Sequence, residues 1–210
     1  MTNARPVRAS ALGACLLSAL LLTACASLVT PNVQATAERL RAGDYELDPA
    51  HAVLLFKIDH LGFSKYVGRF NTFDAALSFN ADDPASAELE AVIQTASIDV
   101  GDPDFAKTLA GPDWFDSETF PEAMFRSVAV EVTGDASARI EGELTLLGVT
   151  KPVSLEATFN GGARNLLTQR YTLGFEAHGV FNRSDFGMDR LLPAVGDAVE
   201  LEIHAEFLRR

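Results

Sequence analysis

Residues 199–207 read Val-Glu-Leu-Glu-Ile-His-Ala-Glu-Phe, and this stretch decides the fold of the chain. Every second residue is apolar, and the residues between them are acidic or histidine. Successive side chains of a β-strand point to opposite faces of a sheet. The stretch therefore predicts a strand with one buried and one solvated face, which is typical of an antiparallel sheet.

The same alternation recurs along most of the chain. It is clear in residues 52–58, 87–93, 140–146, 155–159 and 171–181, and weaker in residues 67–79 and 124–132. Eight strands with one apolar face favour closure into a barrel, because closure removes exposed strand edges. The predicted fold is all-β, an eight-stranded antiparallel barrel.

One helix interrupts the predicted strands. Asp102 is a suitable N-cap, Pro103 stands at the first helical position, and Gly111 ends the segment. Phe105 and Leu109 are four residues apart and share one face of the helix. We expect residues 102–120 to form a helical and looped excursion from the barrel.

The N-terminal residues resemble a bacterial lipoprotein signal. Arg5 and Arg8 precede an apolar run that ends in Leu-Thr-Ala-Cys at residues 22–25, the layout of a secretory signal. The resemblance implies cleavage after residue 24 and lipidation of Cys25; the alternative is an ordinary signal peptide with a chance cysteine. We expect a signal peptide over 1–24, a lipidated tether over 25–43 and the barrel domain over 44–210. Because Ala26 follows the cysteine, sorting in such lipoproteins implies the outer membrane, with the domain facing the periplasm of a bacterial envelope.

The charge and the cysteine content of the chain limit which molecules it is expected to bind and how it is attached to a membrane. Without residues 1–24, which carry two arginines and no acids, 15 basic and 29 acidic residues leave a formal charge of −14. A chain of this charge repels nucleic acids and anionic lipid headgroups, so we expect neither as a partner. Cys25 is the one cysteine after residue 24, so an internal disulfide is excluded. Membrane attachment is expected through lipid on Cys25 alone.

Motifs for catalysis are missing from the sequence. The four histidines, His51, His60, His178 and His204, form no metal-binding spacing, and there is no nucleophile elbow, phosphate loop or dinucleotide motif. The acids alternate along strands and indicate a solvated face. We therefore expect no enzyme, no metal and no cofactor.

Four stretches of the chain resemble the YceI family. They are residues 45–51 (Tyr-Glu-Leu-Asp-Pro-Ala-His), residues 60–70 beginning His-Leu-Gly-Phe-Ser, residues 142–153 (Gly-Glu-Leu-Thr-Leu-Leu-Gly-Val-Thr-Lys-Pro-Val), and residues 181–188 (Phe-Asn-Arg-Ser-Asp-Phe-Gly-Met). The resemblance implies a lipocalin-like barrel that binds polyisoprenoids and related long apolar molecules, and it also implies a homodimer. This sequence departs from the family pattern at two positions, with Ala52 where the family usually has Ser and Thr108 where it often has His.

The 14 phenylalanines, against three tyrosines and one tryptophan, suit an apolar interior. They fill the barrel as a core or line a cavity for an apolar chain; composition favours the filled core, and the family resemblance favours the cavity. The predicted apolar lining is Leu54, Phe56, Ile58, Phe125, Leu144, Leu155, Phe175 and Ile203.

For the ligand's head group, Arg69, Arg183 and Arg190 are candidates to bind an anion, and His60 is a candidate donor. The same residues also suit structural salt bridges in loops. The predicted function is a lipid-anchored envelope protein that stores or transports a polyisoprenoid, an isoprenoid quinone or a fatty-acid-like amphiphile. The alternatives are an enzyme acting on such a lipid, or a ligand-free structural or stress-related envelope protein.

Overall fold

A computed structural model describes Val33 and residues 40–210. The predicted signal peptide, the site of lipidation at Cys25 and most of the tether lie outside the described residues. The strands are β1 (Gly43–His60), β2 (Ser64–Phe70), β3 (Phe73–Phe79), β4 (Glu88–Gln94), β5 (Ile98–Asp99), β6 (Glu122–Gly134), β7 (Ser137–Leu146), β8 (Val149–Arg164), β9 (Tyr171–Asn182) and β10 (Val195–Arg209). Helix α1 spans Pro103–Ala110.

The strands form one antiparallel sheet that closes on itself. Its order is β10-β9-β8-β7-β6-β4-β3-β1-β2-β5, and β10 also pairs with β1. Eight strands complete the ring, while β2 and β5 extend it beside the second half of β1. Over residues 40–210, the prediction of an eight-stranded antiparallel barrel with one α-helix is confirmed.

One predicted strand is divided in two. The segment 67–79 becomes β2 and β3, because β1 pairs with β3 through its first residues and with β2 from Leu54 onward. The ladder between β1 and β10 shifts register between Leu47 and Ala52, where β1 bends. The two residues between β2 and β3 are hydrogen-bonded to a distant part of the chain. The amides of Asn71 and Thr72 both donate to Ser97, over 3.0 Å.

Helix α1 has the predicted limits. The Asp102 carboxylate accepts hydrogen bonds from the amides of Asp104 and Phe105, at 3.0 and 3.1 Å, and Gly111 ends the helix. Leu109 is buried, and Phe105 lies on the same face. The helix therefore turns its apolar face towards one end of the barrel, which we call the helix end. The opposite end, where β1 begins and β10 finishes, is the N-terminal end.

Two clusters of buried side chains hold the wall together. One lies at the N-terminal end and contains Tyr45, Leu47, Tyr171, Leu173 and Phe207 among its members. The other lies on β6, β7 and β8 and includes Phe125, Leu144 and Leu155. Closure of the ring, together with these clusters, makes residues 43–209 a domain with its own core.

Tyr45 makes the stability of the barrel sensitive to alkaline pH. Its side chain is fully buried and donates a hydrogen bond to the carbonyl of Arg41. The pKa of Tyr45 is raised to about 12, chiefly by burial and in part by nearby Tyr171, against the opposing effect of Arg209 and Arg41. An unfolded tyrosine ionises near pH 10.

Between pH 10 and 12 the unfolded chain releases this proton before the folded chain does, so we expect stability to fall as pH rises. At about 1.4 kcal/mol per pKa unit, the loss is at most about 3 kcal/mol. Urea titrations across this pH range should show a flatter dependence for Tyr45→Phe than for the parent. Tyr66→Phe, at the helix end, is the control; an unchanged slope in Tyr45→Phe would contradict the assignment.

Candidate ligand-binding cavity

The interior of the barrel contains a cavity of about 630 Å³. Its wall is built from alternate residues of the strands, as the period of two in the sequence requires. Leu40 and the turn between β6 and β7 belong to the wall at the N-terminal end, and α1 contributes Phe105 and Leu109 at the helix end. The cavity therefore runs along the length of the barrel.

The wall is almost entirely apolar. Eleven of the 14 phenylalanines line it. The lining side chains that carry polar atoms are few and lie towards the two ends: His60, Tyr66, Trp114, Asp135, Ser137 and Arg183. An apolar space with a few polar groups at its rim is the usual form of a site for small hydrophobic molecules.

Partial exposure of inward-facing residues distinguishes a hollow barrel from a filled one. Phe56, Phe175 and Ile203 face the interior, yet each keeps part of its surface accessible. In a filled barrel these side chains would be covered on all sides, because protein cores pack to crystal-like density. The phenylalanines therefore line a cavity, and the interpretation based on composition alone, that they fill the core, is wrong.

The eight residues that alternation selected as lining all lie on the cavity wall: Leu54, Phe56, Ile58, Phe125, Leu144, Leu155, Phe175 and Ile203. They come from six strands, so they surround the space rather than forming one side of it. Phe175 also contacts Phe159 and Phe207, with ring centroids 5.2 and 5.9 Å apart. Their contact with a ligand stays a prediction.

Arg183 is buried at the cavity wall and is hydrogen-bonded to the backbone. It is 1% exposed, and its guanidinium donates to the carbonyls of Gly196, Met188 and Val195 at 2.8, 2.8 and 3.1 Å. Burial lowers the pKa of the guanidinium, while Asp197 and Asp189 oppose that shift. Three of its five N–H groups are bonded to these carbonyls, so Arg183 holds the β9–β10 connection in place.

The other head-group candidates are dispersed. Arg69 lies off the cavity wall, on the outer face of β2, with its Nη2 3.2 Å from an Asp99 oxygen. Arg190 is exposed, and its Nη1 lies 2.8 Å from an Asp113 oxygen. His60 is the exception, because it is exposed and also lines the cavity at the helix end. The placement supports a ligand-facing position for His60 and does not support one for Arg69.

Several aromatic residues of the wall were missed by the sequence analysis. Trp114 and Phe115 follow α1 in a turn with no strand periodicity, yet both line the cavity. The Phe115 ring meets Phe70 edge-on at 5.5 Å, and Trp114 lies 5.9 Å from the Arg183 guanidinium carbon. The available signal was the aromatic pair itself, directly after an amphipathic helix.

A group of polar side chains lies outside the barrel. Asp48, His51 and Glu206 place one potential ligand atom each within 4.8 Å of one another, and His51 Nδ1 is 2.9 Å from Asp48 Oδ2. The hydrogen bond with Asp48 raises the pKa of His51. The group lies at the bend of β1 and has no part in the cavity wall.

Comparison with known proteins identifies the family. The model of the YceI-like domain matches residues 45–207, which is nearly the whole barrel. The chain belongs to the YceI-like family. A relative, the UPF0312 protein of Pseudomonas savastanoi pv. phaseolicola, is 34% identical over 187 residues, covering 88% of this chain and 96% of its own.

Solved structures agree with the YceI-like barrel. The crystal structure of Burkholderia cenocepacia BcnA has a TM-score of 0.69 at 26% identity, covering 76% of this chain and 98% of that chain. A polyisoprenoid binding domain from Saccharophagus degradans, implicated in plant cell wall breakdown, has a TM-score of 0.60 over 81% of this chain and 100% of its own. At 15% identity the latter shows a likeness of fold. Within the described part of this YceI-like chain, the helices are too short or too polar to cross a bilayer.

Proposed function

We propose that the barrel binds one long apolar molecule, with its tail inside the cavity. The observation that carries this proposal is the hollow, phenylalanine-lined interior of about 630 Å³. At about 30 Å³ per water-sized group, this volume corresponds to about 20 such groups. A polyisoprenoid, an isoprenoid quinone or a fatty-acid-like amphiphile has an apolar tail that suits a cavity of this size. The Saccharophagus domain is described as polyisoprenoid binding, which agrees with this proposal. At 15% identity, however, its similarity supports the fold and does not help to choose the ligand.

Apolar burial would supply most of the affinity. Each buried methylene is worth about 0.8 kcal/mol before the cost of ordering a flexible tail. Such contacts discriminate poorly between tails of similar length, so the barrel would accept a class of ligands. Storage or transport of a hydrophobic molecule through an aqueous compartment is the role that these properties suit.

The placement of charges favours a ligand with an uncharged head group. Arg183 is buried with three of its N–H groups bonded to backbone carbonyls, and Arg190 is paired with Asp113, so neither presents an exposed and unpaired cation to a phosphate. At the other end of the cavity the wall carries Asp135. This revises the expectation of an anionic head, and it leaves His60 as the candidate hydrogen-bonding group for a hydroxyl, carbonyl or amide.

Trp114 provides the test, because it is the one tryptophan of the sequence and lines the cavity. Titration with geranylgeraniol should change its fluorescence with saturable, one-to-one binding, and geranylgeranyl phosphate should bind more weakly. Organic extraction of the purified protein followed by mass spectrometry should recover a long-chain lipid in stoichiometric amount. An empty protein that takes up neither probe would exclude ligand binding and favour a structural role, whereas conversion of the lipid would favour an enzyme.

We also propose that the protein is a lipoprotein of the bacterial envelope, held by lipid on Cys25. The support is the Leu-Thr-Ala-Cys sequence at residues 22–25 after a basic and apolar N-terminus. We expect Cys25→Ser to abolish acylation of the protein, as measured by mass spectrometry. We also expect it to abolish membrane attachment of the mature domain, as measured by membrane fractionation. Wild-type protein that is freely soluble and unacylated would contradict this proposal.

A further inference from the structure

Folding gathers arginines from separate parts of the sequence at the N-terminal end of the barrel. Residues 40–210 contain 14 basic and 28 acidic residues, so an average neighbourhood is acidic. Here five arginines lie together, and we call this group the arginine corner: Arg41, Arg164, Arg170, Arg209 and Arg210. They come from the residues before β1, the β8–β9 turn and the end of β10.

Contacts between neighbouring strands show that the corner is continuous. Arg164 pairs with Tyr171 across β8 and β9, and the Arg41 guanidinium carbon lies 5.0 Å from the centroid of the Tyr171 ring. Arg170 Nη2 donates to the carbonyl of Arg209 over 2.9 Å. The amide of Arg210 donates to the carbonyl of Asp44 over 2.9 Å.

The positive charge of the corner is only partly neutralised. Glu46 is shared by Arg170 and Arg210, at 2.9 and 3.5 Å. Among the residues that the structure describes, Arg41, Arg164 and Arg209 form no ion pair. Against the side chains of Asp44, Glu46, Asp48 and Glu206, which lies beside Asp48, the five arginines leave an excess of one positive charge.

An exposed apolar turn projects beside these arginines. Leu166 and Leu167 lie between Arg164 and Arg170, and Leu167 is 81% exposed. The turn has a defined shape, because the Asn165 side chain accepts from the amides of Leu167 and Thr168 at 2.9 and 3.2 Å. Nothing in the fold requires a large apolar side chain at its tip.

We propose that the arginine corner and the Leu166–Leu167 turn form a docking surface for a membrane rich in anionic lipids. Basic residues within a Debye length of such a membrane are attracted to its headgroups, and apolar side chains beside them enter the interface. The chain also enters the barrel at this end, so a lipid anchor at Cys25 would hold the corner towards the same membrane. The overall charge of −14 had argued against anionic lipids; the local arrangement reverses that argument.

The test uses residues 26–210, exported behind a cleavable signal sequence, so that no acyl chain contributes. The barrel has its own core, and solved relatives fold over this part of the chain. Flotation with phosphatidylcholine vesicles, with and without phosphatidylglycerol, measures binding at low and high salt. We expect binding to the anionic vesicles only, and its loss at high salt.

Matched variants assign the binding to this surface. Each arginine is expected to raise the affinity for anionic vesicles about fivefold. Arg164→Gln combined with Arg209→Gln should therefore weaken vesicle binding about 25-fold. The control, Arg126→Gln with Lys151→Gln, makes the same change in net charge elsewhere on the barrel and should have little effect. Leu167→Ser should weaken binding, whereas Val128→Ser, at an exposed position on the side wall, should not. Circular dichroism checks that each variant is folded.

Three results would overturn the inference: equal binding to both kinds of vesicle, an equal loss in the control variant, or a change of oligomeric state at the corner with no change in vesicle binding. The last result, seen by light scattering, would make the corner a contact between two copies of the chain. Uptake of geranylgeraniol by the cavity is measured separately, so the proposed function and this inference can fail independently.

Discussion

Arg183→Ala is expected to lower the free energy of unfolding by about 3–5 kcal/mol, because it leaves buried carbonyl groups without their charged donor. The three acceptors, Gly196, Met188 and Val195, lie in or beside the connection between β9 and β10. Arg183→Lys should recover only part of the loss, since one ammonium cannot reproduce the geometry of a guanidinium. Urea unfolding followed by circular dichroism measures the effect.

A surface arginine provides the matched control for this substitution. Arg126 is exposed, with its Nε 3.3 Å from a Glu90 oxygen, so Arg126→Ala should change stability by less than about 1 kcal/mol. A ligand-binding role for Arg183 makes a different prediction: the Ala variant would stay as stable as the parent and lose affinity for a phosphorylated isoprenoid only. That outcome would show that the buried guanidinium is available to ligands and would contradict the structural role.

Ala157→Trp is expected to weaken binding of geranylgeraniol about 50-fold. Ala157 lies on the cavity wall in the middle of β8, and an indole ring there would occupy space that the tail needs. Exclusion of about three methylene-sized groups, at about 0.8 kcal/mol each, corresponds to this factor. The ring should fit at small cost to folding, because Ala157 faces the cavity rather than closely packed side chains.

The adjacent residue on the same strand serves as the control. Thr158 is exposed on the outer face, so Thr158→Trp adds the same ring without changing the cavity. Titrations of Trp114 fluorescence need correction for the added indole, so isothermal calorimetry is the better measurement for this pair. Equal affinities in the two variants, with both folded, would place the ligand outside the barrel.

Much of the barrel could be predicted because its determinants are local. Alternation in residues 199–207 and in the other strand segments reports which face of each strand is buried. The same alternation placed all eight selected residues on the cavity wall, from Leu54 to Ile203. Asp102, Pro103 and Gly111 specified the limits of α1 through hydrogen bonds and backbone preferences within one turn.

Features without a local period could not be predicted in the same way. The division of 67–79 into β2 and β3 depends on the bend in β1, which lies in a different part of the sequence. Trp114 and Phe115 reach the cavity because the turn after α1 folds over the helix end. Neither position belongs to a pattern that a strand or helix would impose.

The sequence by itself determined the class of fold, the identity of the inward faces and the family, since each depends on residue types at short spacing. Only the tertiary structure decided whether the inward phenylalanines fill the barrel, because that depends on the radius at which eight strands close. It also decided which groups the Arg183 guanidinium contacts, because they lie up to 13 residues away and are backbone atoms that no sequence pattern marks. The arginine corner was hidden from the sequence analysis for the same reason. Strand pairing brings Arg41, Arg164 and Arg209 together, whereas the net charge of a sequence does not show where its charges lie in the fold.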